Sequence, residues 1–371
     1  RLRNLRLSHL RVDIHPSRDG WAERFRRAAA EAATIGAGLH VAVFLGDRAE
    51  EELDALSAVV NEARPRILLW LIFREGETTS NEESIRLARK KLAGPGVHSL
   101  IAAGSSGFFA DLNRNRPPEE STALPCYSVN PQVHAFDDLT MVENLSGQAA
   151  TVESTGQFCR QAVVVSPVTL RPRRDANDPL ESYAPGKDKG SRLPASVDPR
   201  QISLFGAGWT LGSLARLALA GNLHSVTYYE TSGWRGVMET EDGSPVPGLF
   251  PSIPGAVFPM YHVFADVAGY DRIYPTHSSH PLQTEGLTLV DAKGARRVLV
   301  ANFLNEPQEV RIKTGSCRAN VRYLDETNAQ RAMLEPEAFH QEPGETKESV
   351  SAKIELQLKP YALARVDILP G

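Results

Sequence analysis

The chain has 371 residues, 42% of them hydrophobic and 23% charged, with a formal net charge of -4. That is ordinary globular composition, long enough for two domains or for one large α/β barrel with an appendage. The slightly acidic balance, with a pI of about 6.2, argues against a nucleic-acid or anionic-membrane partner, and the Arg-rich piece "RPRR" at 171–174 is too short and isolated to reverse that.

The first residues, "RLRNLRLSHLRVDI", read as the tail of a helix feeding a strand, and the chain does not start with Met. The N-terminus of a longer protein is therefore expected to be missing. Apolar, β-rich runs then recur at 9–14, 39–45, 67–73, 98–104, 125–129, 162–168 and 224–230. Most are nearly continuous, as in strands covered on both faces of a parallel sheet. Between them lie helical patterns at 20–36, 49–63, 81–93, 139–159 and 200–221, the first of them ending at glycines. Seven such cycles mean a parallel sheet with helices outside. A doubly wound sheet and a (β/α)8 TIM-type barrel both fit. No GxGxxG follows any strand, and the polar residues gather just after the strands, where a barrel keeps its active site. The barrel is the preferred reading. It is one strand short, and the first strand is expected upstream of residue 1.

Segment 173–200 has almost no apolar periodicity and reads as a long loop, a lid or disorder. The Pro-rich stretch 243–269 becomes helical at its end and closes the barrel. Beyond about 280 the chain alternates strand and turn at short spacing and helical signals disappear. The expected organisation is a catalytic α/β barrel over 1–280 and a C-terminal all-β sandwich over 281–371. The sandwich either packs against the barrel or binds carbohydrate.

Three cysteines, Cys126, Cys159 and Cys317, stand far apart with no CxxC pair. They offer neither a disulfide framework nor a structural zinc, and suggest a reducing, cytoplasmic setting. No stretch approaches the roughly 18 apolar residues of a membrane span, and no signal peptide is visible.

The chemistry-bearing residues cluster at the strand ends. "RVDIHP" supplies Arg11, Asp13 and His15, "FREGE" supplies Arg74 and Glu75, and "FFADLNRNRP" supplies Asp111, Asn113 and Arg114. "SVNPQVHAFD" supplies Asn130, Gln132, His134 and Asp137; "VTLRPR" supplies Thr169, Arg171 and Arg173; "TYYETSGW" supplies Tyr228, Tyr229, Glu230 and Trp234. A charge taken out of water without a partner is costly, so many strands ending in charged or amide groups suggest one shared site. Each residue also has a plainer reading. Glu230, walled by Tyr228, Tyr229 and Trp234, is either a general acid or base or the partner of Arg171 or Arg11. Glu75 has the same ambiguity beside Arg74. His134 is either a base or a structural histidine. Asp137 is either a substrate contact or the N-cap of the next helix. Arg11 and Asp13 form either a barrel-interior ion pair or a substrate contact. There is no GxSxG, no HExxH and no zinc-spaced Cys/His set. Neither a cofactor nor a metal is expected.

Barrel plus sandwich suits a glycosidase, with Glu75 and Glu230 as paired carboxylates. The large retaining group of such barrels carries an Asn-Glu after strand four and a carboxylate closing strand seven. Here strand four ends "FREGE" and strand seven "VSPVTLRPR". Together "LSHLRVDIHP", "VNPQVHAFD", "VVSPVTLRPR" and "TYYETSGWRGVMET" resemble the D-apionate lactonase family of carbohydrate catabolism, over roughly 5–280 and more weakly beyond. The resemblance implies a glycosidase-like barrel that hydrolyses D-apionolactone to D-apionate. It does not supply the residue roles. From position alone, Glu230 or His134 would activate water, and Arg171 or Asn130 would bind the carbonyl oxygen. Asp13, Asn113 and Gln132 would hold sugar hydroxyls, with His15, Arg114, Asp137, Tyr228 and Trp234 as further contacts and Glu75 as a second carboxylate. A small sugar lactone is the expected partner. A sugar-binding barrel without turnover is the reading from another class.

Overall fold

The computed structural model describes residues 1–92, 99–117, 122–173 and 192–369. Seven strands, β1 (His9–Ile14), β2 (Gly38–Leu45), β3 (Ile67–Arg74), β4 (Leu100–Phe108), β5 (Leu124–Val129), β6 (Val163–Val168) and β7 (Leu223–Tyr228), form one sheet in sequential order, every neighbouring pair parallel. The intervening helices are α1 (Trp21–Ile35), α2 (Ala49–Ala63), α3 (Glu82–Leu92), α4 (Phe109–Arg114), α5 (Asp138–Glu143), α6 (Leu145–Gly156) and α7 (Leu204–Ala218), with α8 (Pro259–Val267) after β7.

β2 shows why the apolar runs are continuous. Leu39, Val41, Val43 and Leu45 pack outward with Phe25, Leu53 and Leu56, while Ala42 and Phe44 face an inner cluster with Leu69, Leu71, Phe73, Cys126 and Val164. Both faces are covered, so every residue of β2 is buried. α1 stops at Gly36, whose φ of 79° lets its N–H reach back to Ala32 and Ala33 carbonyls. β4 continues four residues past its apolar run. At Gly104, φ 156°, the ladder with β5 shifts register, and a Cβ there would lie 2.2 Å from the Cys126 carbonyl oxygen.

The sheet curls into a barrel that is open along one side. β1 pairs only with β2 and β7 only with β6, so among the described residues no strand stands between β7 and β1. A cleft of about 610 Å³ fills that place, lined on its apolar side by Leu5, Leu10, Leu214, Val226 and Phe264. Side chains bridge it from inside: His9 Nε2 lies 2.9 Å from Thr227 Oγ1, and Arg11 Nη1 donates to the Ser166 carbonyl at 2.6 Å. His9 also stacks on His40, ring centroids 3.6 Å apart.

Two helices differ from expectation. The pattern at 139–159 breaks at Asn144 into α5 and α6, where the Asn144 side chain donates to the Pro131 carbonyl at 2.9 Å. The pattern at 200–221 begins instead as a 3-10 turn, Pro199–Ile202, before Ser203 caps α7. Of the long loop expected at 173–200, residues 174–191 lie outside the described residues.

The C-terminal strands are β8 (Arg272–Tyr274), β9 (Thr284–Val290), β10 (Arg296–Asn302), β11 (Gln308–Lys313), β12 (Arg318–Leu324), β13 (Glu345–Glu348), β14 (Lys353–Leu358) and β15 (Leu363–Ile368). Six form an antiparallel sheet in the order β13-β12-β15-β10-β9-β8, and β11 and β14 form a second sheet of two. Between them lies a core of Val298, Val321, Ile354, Leu356 and Val366. The absence of helix expected beyond 280 is corrected: α9 (Ala329–Leu334) and α10 (Pro336–Gln341) interrupt the strands. Each has six residues, too few turns for a periodic signal. The larger sheet packs on the barrel through a shared apolar core, Leu287, Leu299 and Phe303 with Phe205, Trp209 and Leu211 of α7, and ion pairs are set into it. Asp266 of α8 accepts from Arg322 at 2.7 and 2.9 Å and from Arg365 at 3.2 Å, and Arg216 of α7 pairs with the buried Glu285.

Candidate active site

Along β1, His9, Arg11, Asp13 and, just past its end, His15 alternate onto one face. That face is the barrel interior. Two charged groupings form at its C-terminal mouth, where a barrel places chemistry.

The first joins His15 to Glu75 at the end of β3. His15 Nδ1 lies 2.6 Å from Glu75 Oε1, while Ser17 Oγ and Arg18 Nε donate to the same carboxylate at 3.2 Å each. Burial works to raise the Glu75 pKa, but the hydrogen bonds from His15 and Ser17 and the Arg18 charge outweigh it and leave it lowered. An ionised carboxylate only accepts, so Nδ1 carries the proton and the imidazole lone pair sits on Nε2. The His15 ring, 7% exposed, lies flat on Phe44 at 4.6 Å.

The second grouping spans the opening. Asp13 accepts from Arg11 Nε at 2.8 Å and from Arg173 Nη1 at 3.0 Å. Arg173 also reaches Glu230 at 3.6 Å, and Arg235 Nη2 pairs with Glu230 at 2.7 Å. Three guanidiniums thus meet two carboxylates. Burial disfavours the Arg173 charge, but Asp13 and Glu230 outweigh it and raise its pKa. For Arg11 burial wins over Asp13 and the pKa is lowered. Glu230 itself stands on a turn just after β7, following Tyr229 at φ 51°.

The structure therefore joins His15 to Glu75, and Asp13 and Glu230 to Arg11 and Arg173. The following sequence candidates stand elsewhere. Gln132 is buried, donating to the Leu170 carbonyl and to Asp198 at 2.6 Å each and accepting from Arg200 at 2.6 Å. Arg171 donates to the same Asp198 at 3.2 Å and lies over the Phe136 ring. Asn130 accepts the Gln132 N–H at 3.3 Å. Asp137 caps α5 by accepting from the Thr140 N–H, the first cause of its lowered pKa. His134 is exposed on the loop between them. Asn113 and Arg114 lie exposed on α4, Asn113 accepting from Arg116 and Arg114 beside Asp111 at 3.6 Å. Tyr228 turns outward: its hydroxyl is 2.9 Å from Ser213 of α7 and its ring packs on Phe264, so it does not wall Glu230. Trp234 packs, half-buried, on the main apolar core.

Arg235 and the Asp198–Arg200 pair carry structure that no local pattern marks. Arg235 sits in "SGWRG", an ordinary turn sequence, and Asp198 in a loop of weak pattern. Only the aspartate, as the N-cap of a turn before α7, has a recognisable signal. Among the described residues no helix is long and apolar enough to cross a membrane.

A family model described as "D-apionate lactonase, TIM barrel domain" matches residues 1–272, and one described as "D-apionate lactonase, C-terminal immunoglobulin-like domain" matches 281–366. A curated D-apionate lactonase of Brucella anthropi is 24% identical over 174 residues, 46% of this chain and 27% of that protein, so the match spans about a quarter of the relative's length. Among solved structures, a GH51 arabinofuranosidase from Xanthomonas axonopodis pv. citri superposes with a TM-score of 0.60 at 11% identity, covering 99% of this chain and 88% of its own. A GH30 endoxylanase from Clostridium papyrosolvens gives 0.58 at 9%, covering 99% and 90%. At such identities the likeness is one of fold.

Proposed function

Since the chain belongs to the D-apionate lactonase family, we propose that it carries the hydrolytic site of an enzyme that opens a sugar-derived lactone, D-apionolactone to D-apionate, with His15 as general base. The observation that carries this reading is the 2.6 Å contact between His15 Nδ1 and the Glu75 carboxylate at the barrel mouth. Glu75 holds the tautomer with its lone pair on Nε2 and stabilises the imidazolium that forms, the arrangement a histidine base needs.

The reaction proceeds by proton transfer and addition. His15 Nε2 takes a proton from water as the oxygen attacks the lactone carbonyl carbon. The resulting oxyanion lies against the guanidinium-rich side of the mouth, where Arg11 and Arg173 stand two positions or less from Asp13 on β1 or in contact with it. Collapse breaks the ring C–O bond, and the imidazolium returns its proton to the leaving alkoxide. Asp13 and Glu230, held in place by those arginines, are placed to accept hydrogen bonds from substrate hydroxyls. His15, just past the end of β1, is two residues from Asp13 within it, at strand spacing roughly 6.6 Å, so base and hydroxyl acceptor fit one small sugar ring. In a glycosidase pair one carboxyl is kept protonated, and the lowered Glu75 pKa disfavours Glu75 as that acid.

The test is a proton-release assay on a panel of aldonolactones that includes D-apionolactone, with chromogenic glycosides in parallel. Lactone opening that is lost in His15→Ala supports the proposal. Glycoside cleavage without lactone opening, or ligand binding without turnover of either class, overturns it.

A further inference from the structure

Two tyrosines adjacent in the chain point the same way. Thr227 faces the barrel interior, its Oγ1 2.9 Å from His9 Nε2 and 3.0 Å from Ser166 Oγ. Tyr228, the last residue of β7, faces out, with its hydroxyl 2.9 Å from Ser213 of α7. Side chains of a strand alternate, so Tyr229 should face in and Glu230 out. Tyr229 instead reaches Thr210 at 2.7 Å, one turn before Ser213 on the same helix, and its ring meets Phe264 of α8 edge-on at 6.4 Å. The alternation breaks at this one residue.

The backbone shows how. Tyr229 has φ 51°, the left-handed region that a bulky side chain avoids. Its N–H still donates to the Val168 carbonyl of β6 at 3.0 Å, so the ladder holds up to the residue that turns. Beyond it the faces are exchanged, and Glu230 enters the mouth beside Arg173 and Arg235. A strained residue persists where its surroundings over-determine it. Here the phenol is one fastening. Thr210 spends its one proton on the Gly206 carbonyl at 2.7 Å, so the Tyr229 hydroxyl is the donor to Thr210. Burial pushes the Tyr229 pKa up, which keeps that proton in place. The other fastening lies on the far side, where the Glu230 N–H donates to the Arg235 carbonyl at 3.0 Å.

We infer that Tyr229 is a positioning residue for Glu230: its left-handed backbone, fastened to α7 through Thr210, delivers the carboxylate to the mouth in place of a phenol. A glycine would take this backbone without strain, but it has nothing with which to reach α7. The effect on substrate binding rests on the reading of the mouth as the lactone site; the placement of Glu230 does not.

The experiment measures kcat and KM for the lactone in Tyr229→Phe, which keeps the ring and loses the hydroxyl, and in Tyr229→Phe combined with Glu230→Ala, which removes the acceptor. KM should rise several-fold in Tyr229→Phe with kcat little changed. In the Glu230→Ala background the further rise should vanish, because both changes act through one contact. Equal losses in the two backgrounds are what a merely packing residue would give, and they overturn the inference. Tyr229→Val reads the placement without turnover, since a branched side chain disfavours the left-handed region. Its crystal structure should show the Glu230 carboxylate out of reach of Arg235; a retained contact between them overturns the inference. If Tyr229→Val does not fold, crystals of Tyr229→Phe replace it, with Glu230 expected in a second conformer turned away from Arg235. A wild-type chain that opens no lactone sinks the lactone reading, and the crystal structures then decide this inference by themselves.

Discussion

Replacing Glu75 by Gln separates a working dyad from a packing contact. The change keeps the size of the side chain and removes the charge that fixes the His15 tautomer through the 2.6 Å contact. Gln can present its NH₂ group to Nδ1, which favours the opposite tautomer and moves the lone pair off Nε2. General-base catalysis by a positioned side chain contributes about 10²- to 10⁴-fold. At about 1.36 kcal/mol per decade that is roughly 2.7–5.4 kcal/mol of barrier. Glu75 is only partly buried, with 29% of its side chain exposed, so fold stability should change little by comparison. The assay is initial-rate proton release on the lactone over pH 5–9, with urea unfolding as the control. kcat should fall at least 100-fold with KM nearly constant, and His15→Ala combined with Glu75→Gln should be no slower than His15→Ala alone, because the two act as a unit. More than a tenth of the wild-type kcat in Glu75→Gln, or fully multiplicative losses in the double variant, would refute the role given to the dyad.

Acid should weaken the fold through the stacked histidines. Burial, with the His224 charge second, lowers the His9 pKa to about 4, and burial followed by the His9 charge lowers that of His40 to about 2. The unfolded chain protonates both near pH 6.5 while the folded chain does not, so stability is full above about pH 6.5 and falls as pH drops toward 4. The slope approaches about 1.4 kcal/mol per pH unit per histidine; equal urea midpoints at pH 7 and pH 5 would contradict it. Asp266→Ala strands the buried Arg322 and takes one of two carboxylate partners from the half-buried Arg365 at the contact between barrel and sandwich, and should cost about 3–5 kcal/mol by urea unfolding; a loss below 1 kcal/mol would mean that contact is wet. Gly104→Ala forces a Cβ against the Cys126 carbonyl and should destabilise by at least about 1–3 kcal/mol, with an unchanged melting temperature counting against that close approach.

The fold was legible because parallel strands must be apolar on both faces, and seven such runs stand in the chain with helices between them. The mouth was legible only as a zone. Charged residues at strand ends announce a site, but their partners are chosen across the barrel: Asp13 meets Arg173 at a separation of 160 residues, and no local pattern encodes that pairing. "SVNPQVHAFD" shows the opposite error. Its density of amides and charges suggests chemistry, yet Asn130, Gln132 and Asp137 spend their hydrogen bonds on backbone groups, on one another and on Asp198, holding a turn in place. Strand parity would have settled Tyr228: Thr227 faces His9 in the interior, so its neighbour must face the helices.

The side chains that line the barrel interior give the site a second duty. Besides the hydrogen-bonded ladder, cross-links between side chains tie distant parts of the ring, Arg11 on Ser166, Arg173 on Asp13, His9 on Thr227. Two of those fasteners, Arg11 and Arg173, are also the charges at the mouth. A ligand that bridges them adds a further tie, and a substitution that retunes them removes one, so binding and rigidity at this site draw on the same side chains.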